Sequence, residues 1–171
     1  MISSFGKLSP QIAESAFIAG SAEIIGDTSI GDNSSVWHGT VIRADINSIK
    51  IGQQTNIQDL CVIHVSANNG VSIADGVTVG HRVILHACTI ASNCLIGMGS
   101  IILDGVELPE FSFVGAGSVV TSSRAYESGW LILGSPAKAV RKLTADEKSM
   151  IRESARKYCD LSKEYTEESN S

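Results

Sequence analysis

Aromatic rings are scarce in this chain of 171 residues: they make up 5%, while hydrophobic residues as a whole reach 43%. That imbalance points to a narrow interior lined by Ile, Val and Leu, whose axis has no room for rings. Basic residues are outnumbered, 13 against 18 acidic, for a net charge of −5. No nucleic-acid partner is expected from such a balance. No apolar run approaches the ~20 residues needed to cross a membrane, so no membrane partner is expected either. The opening MISSFGKLSPQIAES has no basic stretch followed by an apolar core. It does not read as a signal peptide, and a cytoplasmic location is expected. The four cysteines, Cys61, Cys88, Cys94 and Cys159, have no CxxC spacing. They read as free thiols in a reducing compartment, packed as small hydrophobes. Cys88, two residues after His86, is read the same way rather than as a metal ligand. Histidine is scarce too, with four residues, yet His64, His81 and His86 fall within one short stretch.

What the chain has in abundance is a six-residue beat. Aliphatic residues recur at Ile18, Ile24, Ile30, Val36 and Ile42, again at Ile51, Ile57 and Ile63, and again at Ile73 and Val79. The beat then slips by one residue and runs through Ile84, Ile90, Ile96, Ile102, Leu108, Val114 and Val120. Glycine often follows, as in Ile51-Gly52, Val79-Gly80, Ile96-Gly97 and Val114-Gly115. A helix repeats at three and four residues and a plain strand at two. A period of six fits short strands joined by tight turns, with Gly, Asn, Asp and Ser at the corners. Such hexapeptides mark parallel β-helices. Three make one triangular coil in the left-handed form, so residues 11–121 predict roughly six coils. The expected fold is an all-β solenoid, a left-handed parallel β-helix over residues 1–143 with an irregular closing segment after 121. At this length the chain forms one domain with one core.

The C-terminal segment changes period. Pro136 ends the strand-like GWLILGSP, and Thr144-Ala-Asp-Glu147 reads as a capping box. Ile151, Ala155, Tyr158, Leu161 and Tyr165 follow at helical spacing. An amphipathic helix is predicted over 144–166, laid on a face of the prism, with a frayed tail at 167–171.

Three neutral imidazoles around one ion, with a fourth position open, form a catalytic rather than a structural arrangement. The ion acts as a Lewis acid and lowers the pKa of bound water toward neutrality. Spacing alone is weak evidence for a metal site and favours a set of hydrogen-bonded surface histidines. Spatial neighbours in a β-helix lie about one coil apart, which admits His64 and His81 as neighbours within a chain or across a subunit boundary.

The surroundings add weight. Arg43-Ala-Asp45 precedes Ile51-Gly-Gln-Gln-Thr-Asn-Ile-Gln-Asp59, then His64, then GHRVILH and GSPAK. In combination, over about residues 10–140, these motifs resemble the γ-class carbonic anhydrases and their close hexapeptide-repeat relatives. The resemblance implies a homotrimer that reversibly hydrates carbon dioxide to bicarbonate by a metal-bound hydroxide at the subunit interface. It implies that His64 and His86 of one subunit and His81 of the next hold Zn, with Fe or Co equally compatible with imidazole. A monomer is then not expected to bind metal tightly. By the same resemblance Arg43 and Asp45 form an inter-subunit ion pair near the site. Gln58 hydrogen-bonds the metal-bound water, while Asn56 and Asp59 line and support the site. Asp45 and Asp59 suit the role of carboxylates that fix imidazole tautomers.

Three positions depart from the family pattern. Ile46 stands where the archetype has a proton-handling glutamate after the RxD motif. The interval VSANNGVSIADG carries no glutamate, and Ile132 stands where a site tyrosine is expected. Two other readings accompany the metalloenzyme: an acyl-CoA-dependent acetyltransferase using one histidine as general base, and a non-catalytic scaffold subunit with a retained metal site.

Overall fold

Aliphatic residues on the beat meet their counterparts one coil away and close the interior of a prism. The computed structural model describes residues 1–169. It is a left-handed β-helix of about seven turns, one more than the repeat region predicts. The extra turn comes from Ile2–Ser3 at one end and Trp130–Gly134 at the other.

Three faces follow from the pairing. On the first, Ile24, Ile42, Ile63, Leu85, Ile102 and Val120 stack in parallel register. On the second, Ile12, Ile30, Ile51, Ile73, Ile90 and Leu108 do so. On the third, Ile18, Val36, Ile57, Val79, Ile96, Val114 and Ile132 do so. Nearly all of these side chains are buried in one continuous cluster. The interior row consists of Ile, Val and Leu, as the shortage of rings predicts.

One expectation is corrected here. The sequence beat places Ile84 inside, but Leu85 is the fully buried residue, and Ile84 is 40% exposed. Val79 to Leu85 keeps the step of six, and the slip falls one step later, between Leu85 and Ile90. All the irregular steps therefore share one corner, the one between the first and second faces. It takes nine residues from Ile42 to Ile51, ten from Ile63 to Ile73 and five from Leu85 to Ile90.

The closing segment is more ordered than predicted. Trp130–Gly134 pairs antiparallel with Ala137–Lys142, so Pro136 lies in the hairpin turn that follows the first of these strands. The helix then runs Ala145–Ser169, three residues beyond the expected end; Asn170 and Ser171 of the expected frayed tail lie outside the described residues. It packs back along the third face, burying Ile151, Ala155, Cys159 and Ser162. Leu161, expected on that stripe, is exposed. Tyr158 and Tyr165 instead stack edge-on against Trp37.

The helix start is a reciprocal capping box. Thr144 donates its backbone N–H to the Glu147 carboxylate at 2.8 Å, and Glu147 donates its own to Thr144 Oγ1 at 3.2 Å. Arg141 adds two guanidinium hydrogen bonds at 2.8 and 2.6 Å. The Arg141 bonds first, and the Thr144 amide second, hold the Glu147 carboxyl down to about 2. A depressed folded value stabilises above the ordinary carboxylate range, and that stabilisation is lost as pH falls toward 2. Glu147→Gln is therefore expected to melt earlier than wild type near pH 6. The two melting curves converge as pH approaches 2, as read by helical circular dichroism; a constant offset would contradict the assignment.

Candidate metal centre

The irregular corner between the first and second faces brings two of the candidate ligands together. His64 and His86 occupy equivalent positions on neighbouring rungs of the first face, and Arg43 lies one rung below His64. The coil joining the histidines is 22 residues long, so His64 meets His86 and not His81. His64 Nδ1 and His86 Nε2 face each other at 3.1 Å. The outer nitrogens meet carboxylates: His64 Nε2 lies 3.1 Å from Asp45 Oδ1, and His86 Nδ1 lies 2.5 Å from Asp104 Oδ1. A carboxylate accepts only, so each outer nitrogen carries the proton. Two lone pairs are then left pointing at one another across the gap.

That arrangement suits a cation. Two nitrogens bound tetrahedrally to one zinc at ~2.0–2.1 Å lie roughly 3.3 Å apart. The observed 3.1 Å is close to this bite. Within the chain, Arg43 Nη1 donates to Asp45 Oδ2. Burial works against ionisation of Asp45. Hydrogen bonds from Arg43 and His64, with the guanidinium charge, outweigh it and hold the carboxyl below its usual range.

The third candidate ligand lies at the opposite corner of the same face. His81 sits in the turn before the strand Ile84–His86, and its Nδ1 is 2.8 Å from Asp59 Oδ2. This again leaves Nε2 as the donor atom. Beside it Gln58 donates to Asn56 Oδ1 at 3.1 Å, and Asn56 donates to Thr78 Oγ1 at 3.0 Å. The relay fixes the orientation of both carboxamides. Gln58 and His81 open onto a cavity of about 500 Å³ whose other walls include Leu95, Phe113 and Leu131.

The five-residue step from His81 to His86 spans at most ~17 Å when extended, and the rung separates them. Among the described residues no three potential ligands converge within one chain. Each chain carries a pair of imidazoles at one corner and a single imidazole at the other. The outward side chains between them are apolar and in register: Val41, Val62, Ile84, Ile101 and Val119.

Two expected positions read differently in three dimensions. Ile46 is 58% exposed beside Asp45 and offers no proton-carrying group. Ile132 is fully buried in the core row, so it does not line the site. Leu131 and Leu133, its outward neighbours, line the cavity instead. Asp104 went unnoticed in the sequence although it follows His86 by 18 residues, one ordinary coil. The cysteines are all free and buried. Burial pushes the Cys61, Cys88 and Cys94 thiols up to about 12, which keeps them protonated and poor ligands.

No family model matches the chain. Individual proteins do. A carbonic anhydrase from Geobacillus kaustophilus is 47% identical over 96% of this chain and 91% of its own length. The mitochondrial gamma carbonic anhydrase 2 of Arabidopsis thaliana is 40% identical over 95% of this chain. The chain spans 60% of that relative's length. The solved structure of a hexapeptide transferase family protein from Anaplasma phagocytophilum superposes with a TM-score of 0.92. It is 43% identical, covering 96% of this chain and 97% of that one. With its repeat, its prism and its relatives agreeing, the chain belongs to the γ-class carbonic anhydrase-like family of hexapeptide-repeat proteins.

Proposed function

We propose that this chain is a metal-dependent lyase of the carbonate dehydratase type, acting as a homotrimer on carbon dioxide and bicarbonate. One observation carries the reading: His64 Nδ1 and His86 Nε2 face each other at 3.1 Å, each ring held from behind by a carboxylate. The names of the relatives support it. In the trimer His81 of a neighbouring subunit supplies the third nitrogen, and the apolar stripe of the first face forms the contact.

A zinc, iron or cobalt ion held there supplies Lewis acidity, which lowers the pKa of a coordinated water. The chain's own residues do the rest. Gln58 hydrogen-bonds and orients the attacking oxygen, and Asn56 keeps the Gln58 amide from rotating. Asp59 and Asp45 hold the proton on the outer nitrogens of His81 and His64, which turns a lone pair inward at each ring. Arg43 keeps Asp45 ionised. The wall of Leu95, Phe113 and Leu131 gives a small apolar substrate a route that excludes bulk water.

Hydration also requires proton export. Ile46 carries no proton, so transfer falls to external buffer. Stopped-flow hydration with zinc-loaded, and separately with anaerobically iron-loaded, protein is expected to show metal-dependent turnover. The rate rises with buffer concentration, and His81→Ala abolishes it. Metal binding without turnover would instead favour a scaffold subunit. Saturable acetyl-CoA binding without metal would favour an acetyltransferase, the activity class of the hexapeptide transferases that share this fold.

A further inference from the structure

We propose that Asp104 is a positioning residue for His86, holding the proton on its outer nitrogen so that the inner nitrogen stays open to a metal ion. The inference rests on the metal-centre reading and adds a residue which that reading does not need.

The backbone around His86 is already clamped. Ala87 donates its N–H to the His64 carbonyl at 3.0 Å, and its own carbonyl accepts from Gly105 at 2.9 Å. The five-residue corner forces Ala87 into the left-handed region, with φ of 47°. What the backbone does not determine is which ring nitrogen carries the proton. A side chain reaching from the next coil settles that. Asp104 lies one 18-residue step above His86 and meets Nδ1 at 2.5 Å.

The competing state is specific. Two neutral imidazoles with nitrogens 3.1 Å apart gain a hydrogen bond if one of them moves its proton inward. His86 would then donate Nε2–H to His64 Nδ1. Both lone pairs would be consumed, and a metal ion would have to displace that bond. Asp45 blocks the same collapse from the His64 side. Asp104 blocks it from the His86 side. Its carboxylate is half exposed and contacts no other described ring, so holding His86 is its evident role. The three histidines then have one aspartate each: Asp45 for His64, Asp59 for His81, and Asp104 for His86.

The test uses the full chain in two measurements. Competition titration with a chelating indicator reads zinc and cobalt affinity. Nitrogen-15 spectra of labelled histidine read the tautomer of His86 in the metal-free protein. Asp104→Ala is expected to weaken both metals by roughly 10–100-fold and to move the His86 proton to Nε2. Asp104→Asn, whose Oδ1 still accepts, is expected to remain within a few-fold of wild type and to keep the proton on Nδ1. Wild-type affinity in Asp104→Ala, or an Asn variant as weak as Ala, overturns the proposal. If Asp104→Ala does not fold, the wild-type spectrum decides alone: a proton on Nε2 of His86 overturns it. Wild-type protein that binds neither metal sinks the metal-centre reading, while the tautomer still reports whether Asp104 holds His86.

Discussion

In a one-to-one mixture of His81→Ala and His64→Ala subunits, metal-dependent carbon dioxide hydration is expected to return to about a quarter of wild type. Each variant alone is expected to be inactive, because loss of a ligand exceeds the roughly 10–100-fold cost of losing an outer partner. The recovery follows from the placement of the rings. His64 and His86 share one corner of the first face, and His81 stands at the other. In a closed trimer each centre would take its pair from one subunit and its single ring from the next. A centre is intact only where a His81→Ala subunit offers the pair and a His64→Ala subunit offers His81. Random mixing makes about one interface in four of that kind. Metal content should recover in the same proportion as rate. If mixing restores nothing, the ligands do not come from two subunits and the interfacial centre is wrong.

The architecture was legible because its determinant is one-dimensional. A residue every six positions must point inward in every coil, so Ile24, Ile42 and Ile63 announce a prism before any contact is known. The same logic failed where two aliphatics stand side by side. In Ile84-Leu85 either residue fits the interior, and only the length of the following corner decides between them. That corner is short because Ala87 accepts a left-handed φ, and nothing in its side chain advertises this. A similar ambiguity moved the helix stripe from Leu161 to Cys159, since both are apolar and two positions apart. The site was half legible. Spacing drew His64 toward His81, 17 residues away, because an ordinary coil has about that length. The real coil has 22 residues, enlarged at the corner that builds the site. The departures from the beat therefore located the facing pair of histidines better than the beat itself. Asp104 could have been found by adding one ordinary coil to His86. It was not, because carboxylates at exposed corners are common and only its distance to Nδ1 sets it apart.

Leu85 and Ile84 are neighbours in sequence with opposite expected effects. Leu85 has no solvent exposure and stacks between Ile63 and Ile102. Leu85→Ala leaves a void that a regular solenoid relaxes into poorly, since each rung is tied to the next by backbone hydrogen bonds. A cost of about 2–5 kcal/mol per subunit is expected, seen as a fall in melting temperature of roughly 5–15 °C. Ile84 points outward between Val62 and Ile101 on the apolar stripe. Ile84→Ala is expected to change the stability of an isolated subunit by less than about 1 kcal/mol, in line with a half-exposed position. Ile84→Glu places a carboxylate in the middle of the proposed subunit contact, where burial without a partner is costly. Light scattering should then report a folded monomer with the wild-type circular dichroism spectrum. Elemental analysis of that monomer should find no retained metal, because His81 can no longer reach a neighbour's pair. A metal-loaded Ile84→Glu monomer would show that two imidazoles of a single chain suffice. The apolar stripe would then need a purpose other than bringing His81 to His64 and His86.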